Sequence, residues 1–130
     1  MNRISVTCAI IEQDGKILCA QRSTKMKHPL KWEFPGGKLE EAESFETCLQ
    51  REIWEELGIE IKLLERLPSN FHIYSNFELE LIPFRCSLQT FEIDLLEHSQ
   101  ILWLSVKELK DLDWAEADIP IVNFYTENYK

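Results

Sequence analysis

Hydrophobic positions alternate at the start of the chain. Ile4, Val6, Cys8 and Ile10 are separated by Ser5, Thr7 and Ala9, and a period of two predicts a half-buried strand. Asp14-Gly15 follows, and Lys16 to Gln21 reads as the return strand, because Asp-Gly between two apolar runs is a strong hairpin signal. Ser23 to Pro29 is polar and basic, with Lys25, Lys27 and His28, and predicts a loop. Lys31 to Phe34 is extended, since Pro35 disfavours the helical region at Phe34. Pro35-Gly36-Gly37 reads as a flexible loop. The period then changes. Phe45, Cys48, Leu49, Ile53 and Leu57 share one helical face, with Ser44 placed as N-cap, Glu46 in the first turn and Gly58 at the C-terminal cap.

Beyond the helix, Glu60 to Leu67 and Phe71 to Tyr74 are extended, and Ser75-Asn76 is a turn. Phe77, Leu79 and Leu81 alternate with Glu78 and Glu80 in a strand running toward Cys86. Gln89 to Ser99 is acidic and mixed, without a clear period. Ile101 to Leu104 predicts a short strand, Ser105 to Leu112 a short helix, and Ile119 to about Tyr129 a last helix with Asp118 as cap and Pro120 in its first turn. Strands and helices do not alternate regularly, which disfavours a doubly wound sheet. The expectation is an α+β fold, a mixed sheet flanked by helices, in a single domain over residues 1–130.

Composition narrows the function. The 130 residues are 45% hydrophobic, enough for one core without staples. Acids outnumber Lys plus Arg 23 to 14, for a net charge of −9, so a basic groove for long nucleic acid is not expected. No run of ~18 apolar residues offers a membrane span, and the first residues lack the order of a signal peptide. Cys8, Cys19, Cys48 and Cys86 form no CxxC pair and lie in apolar settings. They read as core residues of a reduced, cytoplasmic protein.

The charge is bunched. Eight of the 23 acids fall between Glu40 and Glu60, and Gly36, Gly37 and Gly58 bracket them. Glu52, Glu55 and Glu56 lie at helical spacings that put their carboxylates on one side, where like charges repel, and near the helix C-terminus, where the dipole disfavours anions. The segment is either a solvated acidic face, with Arg51 paired to Glu55, or a site for a hard cation such as Mg²⁺.

Gly37, Glu43 and Arg51-Glu52-Ile53-Trp54-Glu55-Glu56-Leu57-Gly58-Ile59 fit the pattern G-x5-E-x7-R-E-U-x-E-E-x-G-U, with U bulky and apolar, at every position. At average residue usage such a match arises by chance on the order of 1 in 10⁸ per starting position. The segment 37–59 thus resembles the Nudix box, and the chain resembles a Nudix hydrolase over most of its length. That resemblance implies an α/β/α sandwich around a mixed sheet, and cleavage of nucleoside diphosphates linked to another group with Mg²⁺ or Mn²⁺. It implies that the Gly36 carbonyl, Glu52, Glu55 and Glu56 bind metal, that Arg51 orders the box glutamates, and that Glu43 and Gly58 support the loops. A further carboxylate before the Ile101 strand, Glu97 with Asp94 in reserve, would join the metals or help activate water. Glu52, Glu55, Glu97 and Arg51 are therefore the expected catalytic residues.

Trp32-Glu33-Phe34-Pro35-Gly36-Gly37-Lys38 resembles the MutT branch of that family, nucleoside triphosphate pyrophosphohydrolases that keep the nucleotide pool clean. On that likeness Arg22, Phe34, Gly37, Lys38, Asp118, Ile4 and Val6 are expected to contact substrate. In that branch the residue at the Asp118 position contacts the base; the member that gives the branch its name has asparagine there and histidine at the Lys27 position. Trp114-Ala115-Glu116-Ala117-Asp118-Ile119-Pro120 is more similar to the CTP pyrophosphohydrolases. An ionised Asp118 only accepts hydrogen bonds, which suits a cytosine amino group or a guanine N–H edge, so CTP, modified dCTP and 8-oxo-dGTP are the substrates in view. A nucleotide conjugate such as ADP-ribose or a dinucleoside polyphosphate, or a base-reading domain without catalysis, is the alternative. The expected partner is a small nucleotide, with no membrane and no long nucleic acid, and the protein a monomer or homodimer.

Overall fold

The computed structural model describes residues 2–90 and 92–129. Strands β1 (Asn2–Gln13) and β2 (Lys16–Gln21) form the hairpin expected of Asp14-Gly15, with Gln13 opposite Lys16. Short strands β3 (Trp32–Glu33) and β4 (Gly36–Lys38) precede helix α1 (Phe45–Leu57). Strands β5 (Ile61–Arg66), β6 (Asn70–Tyr74), β7 (Phe77–Leu88) and β8 (Gln100–Leu104) follow. Two 3₁₀ turns, Val106–Asp111 and Glu116–Asp118, lead into α2 (Ile119–Asn128). One mixed sheet has the order β3-β2-β1-β7-β5, with β4 on β1, β6 on β7 and β8 on β2. Its parallel pair is β1 with β7, in register from Asn2 opposite Phe77 to Glu12 opposite Ser87.

The alternation in β1 sorts side chains onto two cores. Cys8 and Ile10 pack with Phe34, Trp114, Ile121 and Tyr125 on the α2 side. Ala9 and Ile11 pack with Leu49, Ile53 and Leu57 on the α1 side. The middle of β1 is therefore buried on both faces, where period two alone predicts a half-buried strand. Its parallel partner and the helix cover on each face make the difference. All four cysteines are buried and free, as core residues should be. Removing the Ile53 side chain, which is wholly buried, would cost about 2–5 kcal/mol.

Two local expectations change. Gly36-Gly37-Lys38 is not a flexible loop but β4, paired with Val6–Cys8 of β1. A Cβ on Gly36 would strike the Thr7 carbonyl, and one on Gly37 the Glu52 carboxyl, so the glycines serve close approach rather than mobility. Asp118 occupies the residue before α2 but makes no capping bond. Its carboxyl accepts the Phe34 N–H at 2.9 Å instead. At α1 the caps are as expected, with Ser44 accepting the Thr47 N–H at 3.1 Å and Gly58 closing the helix in the left-handed conformation.

Candidate active site

Helix α1 carries the acids along one edge of a cavity of about 380 Å³. Glu52 and Glu56 line it from the helix, Gly36, Gly37 and Lys38 from β4, Glu33 and Phe34 from β3 and the residue after it, and Glu97 from the loop before β8. Arg22, Val6 and Asp118 complete the expected residues that line it. Ile4 does not, and lies along a separate hollow with Lys38 and Phe77. Glu55 also stays outside the lining, half-exposed and paired with Arg51. Asp94 lies against Gly58, and its backbone N–H binds the Leu57 carbonyl at 2.9 Å.

Arg51 organises the box. Its Nε and Nη2 grip both oxygens of Glu43 at 2.6 and 2.9 Å, and its Nη1 donates to Glu52 and Glu55 at 2.8 Å each. Nη2 also donates to the Lys38 carbonyl at 3.2 Å. The Arg51 hydrogen bonds, with the Glu40 backbone N–H, hold the Glu43 carboxyl down at about 2. Glu43 and Arg51 thereby clamp the loop after β4 onto α1.

Glu52 and Glu56, which face the cavity from α1, are in the opposite state. Burial pushes the Glu52 carboxyl up, against the pull of Arg51. Glu56 is pushed up to about 10, first by burial and then by the charges of Glu33, Glu52 and Glu97. Its Oε2 has no hydrogen-bond partner. A buried, unsatisfied carboxylate among like charges is costly unless a cation meets it, so this donor set fits a hard divalent ion. Among the described residues, ligand atoms of Glu33, Glu56 and His98 lie within 4.8 Å of one another and could hold a metal.

Glu33 and His98 are the residues that pattern reading missed. Glu33 accepts from Arg22 Nη1 at 2.6 Å on one oxygen and faces His98 Nε2 at 2.8 Å on the other. Arg22 also donates to the Lys27 carbonyl at 2.6 Å, fixing the basic loop. The only signal for Glu33 was its place beside the box, and for His98 its place beside Glu97. Burial and the charge of Glu33 push the Asp118 carboxyl well up. The shift moves Asp118 toward its protonated form, which can offer a proton as well as accept one. Cys8 lines the same cavity, but burial and Asp118 raise its thiol well above the usual range. It stays protonated and is not poised as a nucleophile.

Residues 1–124 match the family model described as NUDIX domain. CTP pyrophosphohydrolase of Escherichia coli is 38% identical over 96% of this chain and 93% of its own length. Nucleoside triphosphatase NudI of Enterobacter sp. is 30% identical over 90% of this chain and 92% of its own. The solution structure of the DNA mismatch repair protein MutT from methicillin-resistant Staphylococcus aureus 252 superposes with a TM-score of 0.79. It is 44% identical and covers 98% of both chains.

Proposed function

The chain belongs to the NUDIX family of hydrolases, and on that premise we propose that it is a Mg²⁺-dependent nucleoside triphosphate pyrophosphohydrolase. It would convert (d)NTP and water to (d)NMP and diphosphate, and act as one catalytic unit in the cytoplasm on free nucleotides. No helix of the described residues is long and apolar enough to cross a membrane. The observation that carries the reading is the buried Glu56 with its unpartnered oxygen, set among Glu33, Glu52 and Glu97 beside a nucleotide-sized cavity.

Glu52, Glu56 and Glu97, with the Gly36 carbonyl and Glu55, would hold the ions. Such ions neutralise the polyphosphate and make a bound water acidic. Glu52 and Glu97 are the candidates to take that water's proton, since both line the cavity. Arg51 keeps Glu52 aligned through its 2.8 Å bond. Lys38, which lines the cavity, would meet a phosphate oxygen, and Val6 and Phe34 would wall the base. Catalysis of this kind is positioning plus charge stabilisation.

The base preference proposed is cytosine. The Glu33 carboxylate would offer an acceptor for the exocyclic amino group, and Asp118, in the protonated form that its burial favours, a donor for the ring nitrogen beside it. With Asp118 ionised, two acceptors would instead suit the N–H edge of guanine or 8-oxoguanine. The test is kcat/KM for CTP, dCTP, 5-methyl-dCTP, dGTP, 8-oxo-dGTP and ATP with Mg²⁺, products read by phosphorus NMR. Monophosphate plus diphosphate, with a cytidine nucleotide first, is expected. Faster cleavage of ADP-ribose than of any triphosphate would overturn the reading.

A further inference from the structure

The loop 92–99 buries the wrong residue for simple packing. Leu95 and Leu96 are 43% and 61% exposed, while His98 is 6% exposed. The His98 side chain itself has no exposure. A loop placed by the hydrophobic effect alone would turn a leucine inward. The loop is pinned on both sides of the histidine by backbone bonds, Leu96 N–H to the Glu56 carbonyl at 3.1 Å and Ser99 N–H to the Gln21 carbonyl at 2.9 Å. Between these pins the ring stands against two carboxylates on different elements. Nε2 is 2.8 Å from Glu33 Oε2 and 3.6 Å from Glu56 Oε1. A carboxylate only accepts, so the Nε2–H donates to Glu33. Nδ1 has no partner, so the ring is held through that one bond and its packing.

We propose that His98 is a positioning residue that holds the base-reading acid Glu33 apart from the cation-holding acid Glu56, so that each stays committed to its own side of the cavity. The inference rests on the assignment of Glu56 to the ions and of Glu33 to the base. With both Glu33 oxygens engaged, by Arg22 and by His98, its carboxylate plane is fixed toward the pocket. Without the Nε2–H, Glu33 is free to turn into the cation cluster. The pocket then loses its acceptor, and the ion ligands lose their defined number. His98 is also the immediate neighbour of Glu97, a lining residue of the same cavity.

The experiment compares His98→Gln, His98→Asn and His98→Leu in the full chain. Glutamine can place an amide N–H near the Nε2 position, asparagine places it one atom short, and leucine fills the space without a donor. Mn²⁺ affinity of the nucleotide-free protein, read by electron paramagnetic resonance, should weaken about 10- to 100-fold in the Leu and Asn variants, the usual scale for groups that orient metal ligands. The ratio of kcat/KM between the best and worst triphosphate should narrow by a similar factor, while melting temperatures stay close to wild type. His98→Gln should restore both readouts to within about threefold. Equal losses in Gln, Asn and Leu would make the ring a filler and overturn the proposal, as would unchanged Mn²⁺ affinity and base discrimination in Leu and Asn. If Leu does not fold, the Gln against Asn comparison decides alone. The Mn²⁺ readout needs no substrate, so it stands even if wild type hydrolyses no triphosphate.

Discussion

Two charged clusters lie along β1, about 20 Å apart at ~3.3 Å per residue from Val6 to Glu12, and they follow opposite rules. Near the hairpin, Arg85 donates to both oxygens of Glu12 at 3.0 Å and to Glu65 at 2.9 Å. The Tyr125 hydroxyl donates to Glu12, and that of Tyr129 to Glu65 at 2.7 Å. The Arg85 guanidinium lies 4.6 Å from the centre of the Tyr129 ring. Each acid there is matched, and the cluster ties α2 to β1, β5 and β7. At the other end Glu33, Glu52, Glu56 and Glu97 face one cavity, with Glu56 Oε2 and His98 Nδ1 unpartnered. Matched charge holds a fold together. The unpartnered Glu56 oxygen is what the proposed cation would meet.

The sharpest way to break that contrast is to neutralise one charged group at each end. Glu52→Gln should lower kcat/KM by about 10²–10³-fold, the scale of losing one contact to developing charge, without lowering the melting temperature in EDTA. At the hairpin end, Arg85→Leu should do the reverse. Losing its hydrogen bonds to carboxylates should cost about 1–3 kcal/mol by denaturant unfolding, and kcat/KM should stay within about twofold of wild type. Loss of activity there at full stability would erase the distinction.

Asp118→Asn sharpens it further. Asparagine still has an oxygen for the Phe34 N–H, so folding should be nearly unchanged. The preference between cytidine and guanosine triphosphates should shift about tenfold, roughly 1.4 kcal/mol of one altered hydrogen bond. An unchanged ratio would remove Asp118 from base reading.

The smallest effect concerns Glu43, a box acid that behaves like those of the hairpin cluster. Its carboxyl sits at about 2 against an ordinary 4.5. Its stabilisation is therefore fully present above 4.5 and is lost as pH falls toward 2. The melting-temperature gap between wild type and Glu43→Gln should be constant from pH 7 to 5 and narrow below 4.5. A gap that persists at pH 3 would show that the clamp does not depend on the Glu43 charge.

The box was legible because its residues are consecutive on one helix and one loop, and local spacing records their chemistry. The two helices and most strands were legible for the same reason. Glu33 and His98 are 65 residues apart in sequence, and no periodicity marks a contact between β3 and the loop before β8. Strand β4 was hidden because two glycines show no side-chain alternation. Asp118 stands where a cap belongs, and nothing local says that its carboxyl turns back to Phe34. Ile4 and Val6 share one face of β1, yet only Val6 reaches the cavity, a matter of depth that alternation does not encode.

The most direct measurement is the melting temperature of wild type and Glu56→Gln across pH 5 to 9, in EDTA and in Mg²⁺. Glu56 rises to about 10 in the fold from an ordinary 4.5. Its contribution is fully present below 4.5 and is lost as pH rises toward 10, because the unfolded chain releases that proton first. In EDTA, wild type should therefore fall progressively below Glu56→Gln as pH increases. Mg²⁺ should raise wild type and leave the variant nearly unmoved. A wild type that is the more stable of the two throughout in EDTA, with no response to Mg²⁺, would contradict the assignment of this cluster to a cation.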